Sequence, residues 1–184
     1  MHIGDFILNN EHYDWRVICM DCYIRKAHQG DELSLAYIQT ESWKAAFRDI
    51  LPDEILQKAA DRNRTAAMYR QLLDENVGNG YILEVDAQPH CVAWWDKTRD
   101  ADMPDYAELI CIHSLQDNWG KGYGTHMMRR MMDDMRAAGY EKVMLWVFTN
   151  NLRARKFYES CGFITRGKVK PYLETEEICY EREL

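Results

Sequence analysis

The stretch from Tyr106 to Gly139 constrains the fold more than any other part of the sequence. It begins with a mostly apolar run that ends at Leu115, crosses a short polar link and reaches three closely spaced glycines. A methionine-rich segment of helical periodicity follows and stops at Gly139. The pattern predicts a strand, a glycine-rich loop and a helix that begins directly after the loop.

The glycine-rich loop indicates the kind of ligand that the chain binds. Glycine N–H groups are not shielded by a Cβ atom, and the first turn of a helix has unpaired N–H groups in a positive field. Such a loop binds phosphate or pyrophosphate; the alternative is a tight turn that uses glycine for shape only. The nucleotide-triphosphate pattern Gly-x-x-x-x-Gly-Lys-(Ser/Thr) is absent, and the dinucleotide spacing would need glycine where Thr125 stands.

The periodicity elsewhere predicts a mixed α/β domain with helices on both faces of a twisted sheet. We predict strands at 22–27, 81–86, 91–95, 106–115, 143–148, 163–168 and 177–182, with a hairpin turn at 87–90. We predict helices at 31–50, after Pro52, from Asp61 to Gly78, at 123–138 and from Asn150 or Asn151 to Gly162. With no internal repeat in view, residues 1–184 form a single predicted domain, in which 1–20 are an N-terminal extension.

The composition argues against several classes of protein. A net charge of −7 disfavours a broad nucleic-acid surface, which needs clustered basic residues. No apolar run approaches the length of a membrane span, and residues 1–20 lack the layout of a signal peptide. We therefore expect a cytoplasmic protein with neither a nucleic-acid nor a membrane partner.

The cysteines do not predict a metal site. Cys19 and Cys22 form a Cys-x-x-Cys pair, but a zinc site needs a second pair of ligands at suitable spacing, and none is evident. The other cysteines lie in apolar segments, where cysteine behaves as a small hydrophobic residue. The expectation is that no metal is bound.

Two stretches, the glycine-rich loop from Trp119 to Gly124 and the segment from Asn151 to Phe163, resemble motifs of the GCN5-related N-acetyltransferases, the GNAT family. The loop from Trp119 to Gly124 is similar to the family's (Gln/Arg)-x-x-Gly-x-(Gly/Ala), although Trp119 stands where Gln or Arg is usual. The family's Asn-x-x-Ala-x-x-Phe-Tyr-x-x-x-Gly-Phe is complete here, as Asn151, Ala154, Phe157, Tyr158, Gly162 and Phe163. The resemblance runs from about Tyr23 to the C-terminus. It implies a mostly antiparallel sheet of about seven strands.

The resemblance implies acetyl-CoA as the donor. The pyrophosphate would meet the backbone N–H groups of Trp119, Gly120, Lys121, Gly122, Tyr123, Gly124 and Thr125. In the family the fourth and fifth strands separate, and the pantetheine arm bonds the free edge of the fourth, here Ile112, His113 and Ser114. The alternative for these three residues is ordinary sheet pairing. Asn151 matches a side chain that contacts the CoA arm, and it also suits a helix cap.

Two residues are candidates for proton transfer. Tyr158 matches the family's usual general acid, which protonates the departing CoA thiolate; its position in an apolar stripe also suits a core residue. Glu108 is the candidate base, because an ammonium nucleophile must lose a proton before it attacks. A salt bridge at the end of the strand is the alternative role for Glu108.

The predicted function is transfer of the acetyl group of acetyl-CoA to a primary amine, carried by a small molecule or a peptide. Direct attack in a ternary complex is expected, since no cysteine stands in an evident nucleophile context. One alternative is a non-catalytic acyl-CoA-binding or sensing module, and another is acetylation of a protein N-terminus or lysine. The sequence leaves open whether the donor carries an acetyl or a longer acyl group, and whether the protein is a monomer or a homodimer.

Overall fold

The strands form one open sheet in residues 22–184, the part of the chain that the computed structural model describes. The strands are β1 (Cys22–Lys26), β2 (Asn79–Val85), β3 (Gln88–Lys97), β4 (Ala107–Ser114), β5 (Lys142–Phe148), β6 (Val169–Tyr172) and β7 (Thr175–Glu183). Their order is β1-β2-β3-β4-β5-β7-β6, and every pairing is antiparallel except that of β4 with β5. The mostly antiparallel sheet of seven strands confirms the predicted fold class.

Helices cover both faces of the sheet. They are α1 (Glu32–Phe47), α2 (Asp53–Ala59), α3 (Arg62–Asp74), α4 (Tyr123–Ala137) and α5 (Leu152–Ser160). The face that α1 and α3 cover is closed by a cluster that includes Leu35, Tyr69 and Trp94. On the opposite face, α4 buries the methionines Met127, Met128, Met131, Met132 and Met135. The helical period of these methionines predicts this packing, because residues three and four apart share one face of a helix.

The pairing between β4 and β5 is short, and it creates an opening in the sheet. Only Ala107 with Val143 and Glu108 with Met144 are paired, whereas β3 follows β4 as far as Ser114. Beyond Glu108, therefore, the edge of β4 that faces β5 has no strand partner within residues 22–184. The strand separation inferred from the GNAT resemblance is present.

The predicted strand at 163–168 is wrong. Only Ile164 forms an isolated bridge, with Glu181, and the strand that pairs with β7 is β6, which begins at Val169. The apolar character of Phe163 has another cause: its N–H bonds the carbonyl of Tyr158 at the end of α5, and its ring enters the core. Gly167, with a φ of +81°, then turns the chain before β6 begins.

Two boundaries also differ from the sequence prediction. The β2–β3 turn is formed by Asp86 and Ala87, both with positive φ, so that β3 already begins at Gln88. Helix α1 ends at Phe47 and not near Ile50. The predicted N-terminal extension 1–20 lies outside the described residues. Cys19 lies there too, so the structure does not describe the Cys19–Cys22 motif as a pair. None of the described helices is long and apolar enough to cross a membrane.

The methionine packing of α4 allows a test of the core. We expect Met131→Ala to lower the free energy of unfolding by about 2–5 kcal/mol, because its side chain is fully buried and the truncation leaves a cavity. Met68→Ala is the matched control, since Met68 is 42% exposed on α3 and its change should stay within about 0.5 kcal/mol. Urea denaturation measures both; equal losses would contradict the packing.

Candidate active site

A cleft of about 1540 Å³ lies where β4 and β5 separate. Its lining includes Trp43 and Phe47 of α1, the free edge of β4, the glycine-rich loop and Tyr158 of α5. Pockets for one small molecule are typically about 300–1,000 Å³. The cleft therefore has room for two ligands that meet at the gap in the sheet.

The glycine-rich loop presents open backbone to one end of the cleft. Gly120 and Gly122 have φ values of +80° and +85°, and a Cβ atom at either position would meet nothing within 4 Å. Helix α4 begins at Tyr123 and makes its first internal bond from His126 N–H to the carbonyl of Gly122. The N–H groups of the first helical turn thus have no partner within the helix. The arrangement fits a pyrophosphate.

Trp119 ties the loop to the end of β4. Its indole Nε1 donates to the carbonyl of Ser114 at 2.9 Å, and the Arg153 guanidinium lies 3.4 Å from the centre of the ring system. Lys121, between the two glycines of the loop that have positive φ, donates to Asn118 Oδ1 at 2.5 Å. The aromatic residue at the position where the family usually has Gln or Arg therefore fixes the loop through its ring nitrogen and a cation–π contact.

The residues expected to meet the pantetheine arm line the cleft. Ile112, His113 and Ser114 pair with β3 on one side and face the gap on the other. His113 Nε2 accepts a hydrogen bond from Trp43 Nε1 at 3.3 Å. Burial lowers the pKa of His113 to about 4, so its imidazole is neutral at neutral pH.

The second motif places two of its residues on the cleft wall. Asn151 caps α5, because its side-chain oxygen accepts the N–H of Ala154 at 3.1 Å, and it also lines the cleft. Tyr158 is 8% exposed and packs against Phe163. Burial raises the pKa of Tyr158, so the phenol keeps its proton at neutral pH, as a general acid must.

Glu108 is held by Arg99. The carboxylate is 3% exposed and accepts three hydrogen bonds from that residue: from the backbone N–H at 2.9 Å, from Nε at 3.0 Å and from Nη2 at 2.5 Å. Burial alone would raise the pKa of Glu108, but the bonds and charge of Arg99 outweigh it and the pKa is lowered. The salt bridge is present, and the low pKa makes Glu108 a weak proton acceptor; its role as the base stays a prediction.

A second carboxylate on the same face of the sheet was missed from the sequence. Glu177 of β7 pairs with Phe148 of β5 and with Lys170 of β6, and its Oε2 is 3.6 Å from Lys170 Nζ. Burial raises the pKa of Glu177, and the charges of Lys170 and Arg99 offset this only in part. The alternation of side chains along β7 predicts that Glu177 and Ile178 lie on opposite faces of the sheet. Which residues of the adjacent strands surround Glu177 depends on the strand register, which the sequence does not show.

Arg99 was also missed, for a different reason. It lies in the loop between β3 and β4, where a basic residue among aspartates carries no recognisable signal. For metal ligands, no group of three or more His, Cys, Asp or Glu side chains suited to an ion occurs in residues 22–184.

Comparison with known proteins assigns the family. The sequence profile of the acetyltransferase (GNAT) family matches residues 32–163, which is most of the chain. The protein therefore belongs to the GNAT acetyltransferase family, as the two motifs indicated. No curated protein sequence matches the chain.

Solved structures share the fold at low sequence identity. PaiA N-acetyltransferase from Thermoplasma acidophilum, in complex with coenzyme A, is 18% identical with a TM-score of 0.74, over 90% of this chain and 100% of that one. The putative acetyltransferase yncA from Salmonella typhimurium, with acetyl-CoA, is 18% identical with a TM-score of 0.67, over 89% and 94%. The Escherichia coli ribosomal-protein-S18-alanine N-acetyltransferase is 17% identical with a TM-score of 0.62, over 88% and 93%.

The Arg99–Glu108 pair predicts a pH-dependent effect on stability. Because the pKa of Glu108 is lowered in the folded protein, its charge stabilises the fold above its unfolded pKa, and this contribution is lost as pH falls. In Arg99→Ala the buried carboxylate loses its ion pair and two of its three hydrogen bonds, and we expect a loss of about 1–3 kcal/mol at neutral pH. The loss should shrink as pH falls from neutral, because without the Arg99 side chain burial raises the pKa of Glu108, and protonation then removes the unpaired charge.

Urea denaturation over a pH series measures this difference. Arg136→Ala is the matched control, because Arg136 pairs with the exposed Asp133 at the protein surface and contributes within about 0.5 kcal/mol. A difference between Arg99→Ala and the original protein that stays constant from neutral to acidic pH would show that the ion pair does not have this effect.

Proposed function

We propose that the protein transfers the acetyl group of acetyl-CoA to a primary amine, and that the amine attacks the thioester directly. The observation that carries the proposal is the cleft itself. In one GNAT chain, an open glycine-rich loop, a strand edge that has no partner strand in residues 22–184 and a buried tyrosine line a single cavity. The complexes of PaiA with coenzyme A and of yncA with acetyl-CoA are consistent with this donor.

The donor half of the cleft suits an extended phosphorylated cofactor. The pyrophosphate would accept hydrogen bonds from the loop and from the first turn of α4, where the helix dipole also favours negative charge. The pantetheine amides would pair with the free edge of β4 near Ile112 and His113, as an added strand does. Asn151 lies across the gap from this edge and can contact the arm while it caps α5.

The chemistry is assigned to side chains on the two faces of the sheet. The thioester sulphur would lie in the gap on the side of Tyr158, whose phenol protonates the departing CoA thiolate. Cys111 also lines the cleft, but burial raises its pKa to about 12, so it is a poor nucleophile at neutral pH. This favours direct attack by the amine over an acyl-enzyme intermediate.

The acceptor half lies on the side of α1 and the β6–β7 hairpin. Trp146, Phe148 and Tyr172 supply aromatic rings, and Glu108 and Glu177 supply carboxylates. Aromatic faces and carboxylates attract cations, which suits the ammonium group of an amine before it loses a proton. A panel of amines that is tested for the acceptor should include peptides as well as small molecules, since the similar S18-alanine acetyltransferase is named for a protein amine.

Calorimetry with acetyl-CoA tests the donor site. We expect saturable binding below about 1 mM and about tenfold weaker binding by Gly122→Ala, a loss of about 1.4 kcal/mol, because the added Cβ and altered φ disturb the cradle. Gly167→Ala is the matched control: Gly167 has a similar positive φ and open surroundings, yet lies outside the cleft. No binding at millimolar acetyl-CoA, or equal effects of the two variants, would contradict the assignment.

Tyr158→Phe tests the general acid. Once an acceptor is found by the release of free thiol, we expect kcat to fall by about 10²–10⁴-fold, while acetyl-CoA affinity changes little. Phe157→Leu controls for packing, because Phe157 contacts the Tyr158 ring but has no ionisable group that could donate a proton. Unchanged turnover in Tyr158→Phe would remove this residue from the acid role and leave the donor site intact.

A further inference from the structure

Lys170 brings a primary amine of the protein itself into the acceptor half of the cleft. Its Nζ lies 4.0 Å from the centroid of the Trp146 ring and 3.6 Å from Glu177 Oε2. All three side chains line the cleft, and strand pairing places them on one face of the sheet. An amine that rests on an aromatic face beside a carboxylate occupies the kind of position expected for the reacting group of an acceptor.

The position of Trp146 indicates where the Lys170 amine lies relative to the thioester of a bound acetyl-CoA. The parallel pairing of β4 and β5 ends with Glu108 opposite Met144, and Trp146 lies two residues farther along β5, on the same face as Met144, where the gap begins. If the pantetheine arm follows the free edge of β4, its thioester end reaches the narrow part of the gap, next to Trp146. This step depends on the proposed function, because it requires acetyl-CoA in the donor half.

Lys168 provides an internal contrast. Its Nζ is also near Trp146, at 5.9 Å, but it is bound by Asp100 at 2.8 Å and by Asp102 at 3.0 Å. These hydrogen bonds raise the pKa of Lys168 and keep its amine protonated. Within residues 22–184, Lys170 has one carboxylate at ion-pair distance, that of Glu177 at 3.6 Å, and burial raises the pKa of Glu177, so that it can take up a proton.

We propose that Lys170 is a self-acetylation site, at which the enzyme transfers the acetyl group of its own bound acetyl-CoA to Lys170 Nζ. In the reaction, Glu177 takes a proton from the Lys170 ammonium, and the free amine attacks the thioester carbonyl. A C–N bond forms, the C–S bond breaks, and the CoA thiolate leaves and is protonated by Tyr158. The second proton of the attacking nitrogen passes to solvent, and the product is an uncharged acetyl-lysine over Trp146.

The test is a time course of the purified protein with acetyl-CoA and no added amine, read out by peptide mass spectrometry. We expect Lys170 to be acetylated at least about tenfold faster than Lys168 and than Lys156, which is exposed on α5, because a positioned amine reacts at a high effective concentration. The fraction modified per unit time should not depend on protein concentration, as for transfer within one molecule.

Variants separate catalysed transfer from spontaneous chemistry. Glu177→Gln should slow acetylation of Lys170 by about tenfold or more, whereas Glu176→Gln, an exposed neighbour on β7, should not. Tyr158→Phe should also slow the acetylation of Lys170 by about tenfold or more. None of these changes should alter the slow background reaction of Lys156.

The failure of this inference is distinguishable from failure of the proposed function. If the protein binds acetyl-CoA but modifies Lys170 no faster than Lys156, self-acetylation is overturned and the donor assignment stands. If the rate rises with protein concentration, transfer within one molecule is overturned. If calorimetry detects no binding of acetyl-CoA, the proposed function and this inference are both overturned.

Discussion

The short parallel pairing between β4 and β5 is the constraint on which the rest of the structure depends. Two paired positions hold the strands together at Ala107 and Glu108, and beyond them the sheet opens into the cleft. β5 does not need β4 further along, because β7 pairs with it over its whole length. The opening leaves one edge of β4 available to a ligand and gives Tyr158 and Glu177, on opposite faces, access to one cavity.

Two carboxylates on one face of the sheet show how pairing, more than burial, sets their chemistry. Both are shielded from water, yet Arg99 gives Glu108 three hydrogen bonds and lowers its pKa, while Lys170 stands farther from Glu177, whose pKa is raised. Environments that separate two pKa values in this way define different roles. Glu108 anchors the β3–β4 loop, and Glu177 suits proton uptake.

Local sequence signals predicted much of the fold and the local structure of the segments proposed to bind the donor. The methionine period of α4, the positive-φ glycines before it and the Asn151 cap of α5 are each determined within a few residues. The wrong prediction of a strand at 163–168 also came from a local signal. Phe163 is apolar because it closes the end of α5, and a local pattern does not distinguish that role from the start of a strand.

The sequence by itself determined the family, the strand–loop–helix that forms the cradle, and the position of Tyr158, because these depend on motifs that are short and continuous in the chain. Only the tertiary structure brought Arg99 to Glu108 and Lys170 to Glu177 and Trp146. Those groups lie on different loops and strands, and their distances follow from strand order and register. The proposed acceptor half of the cleft is therefore a product of the assembled sheet.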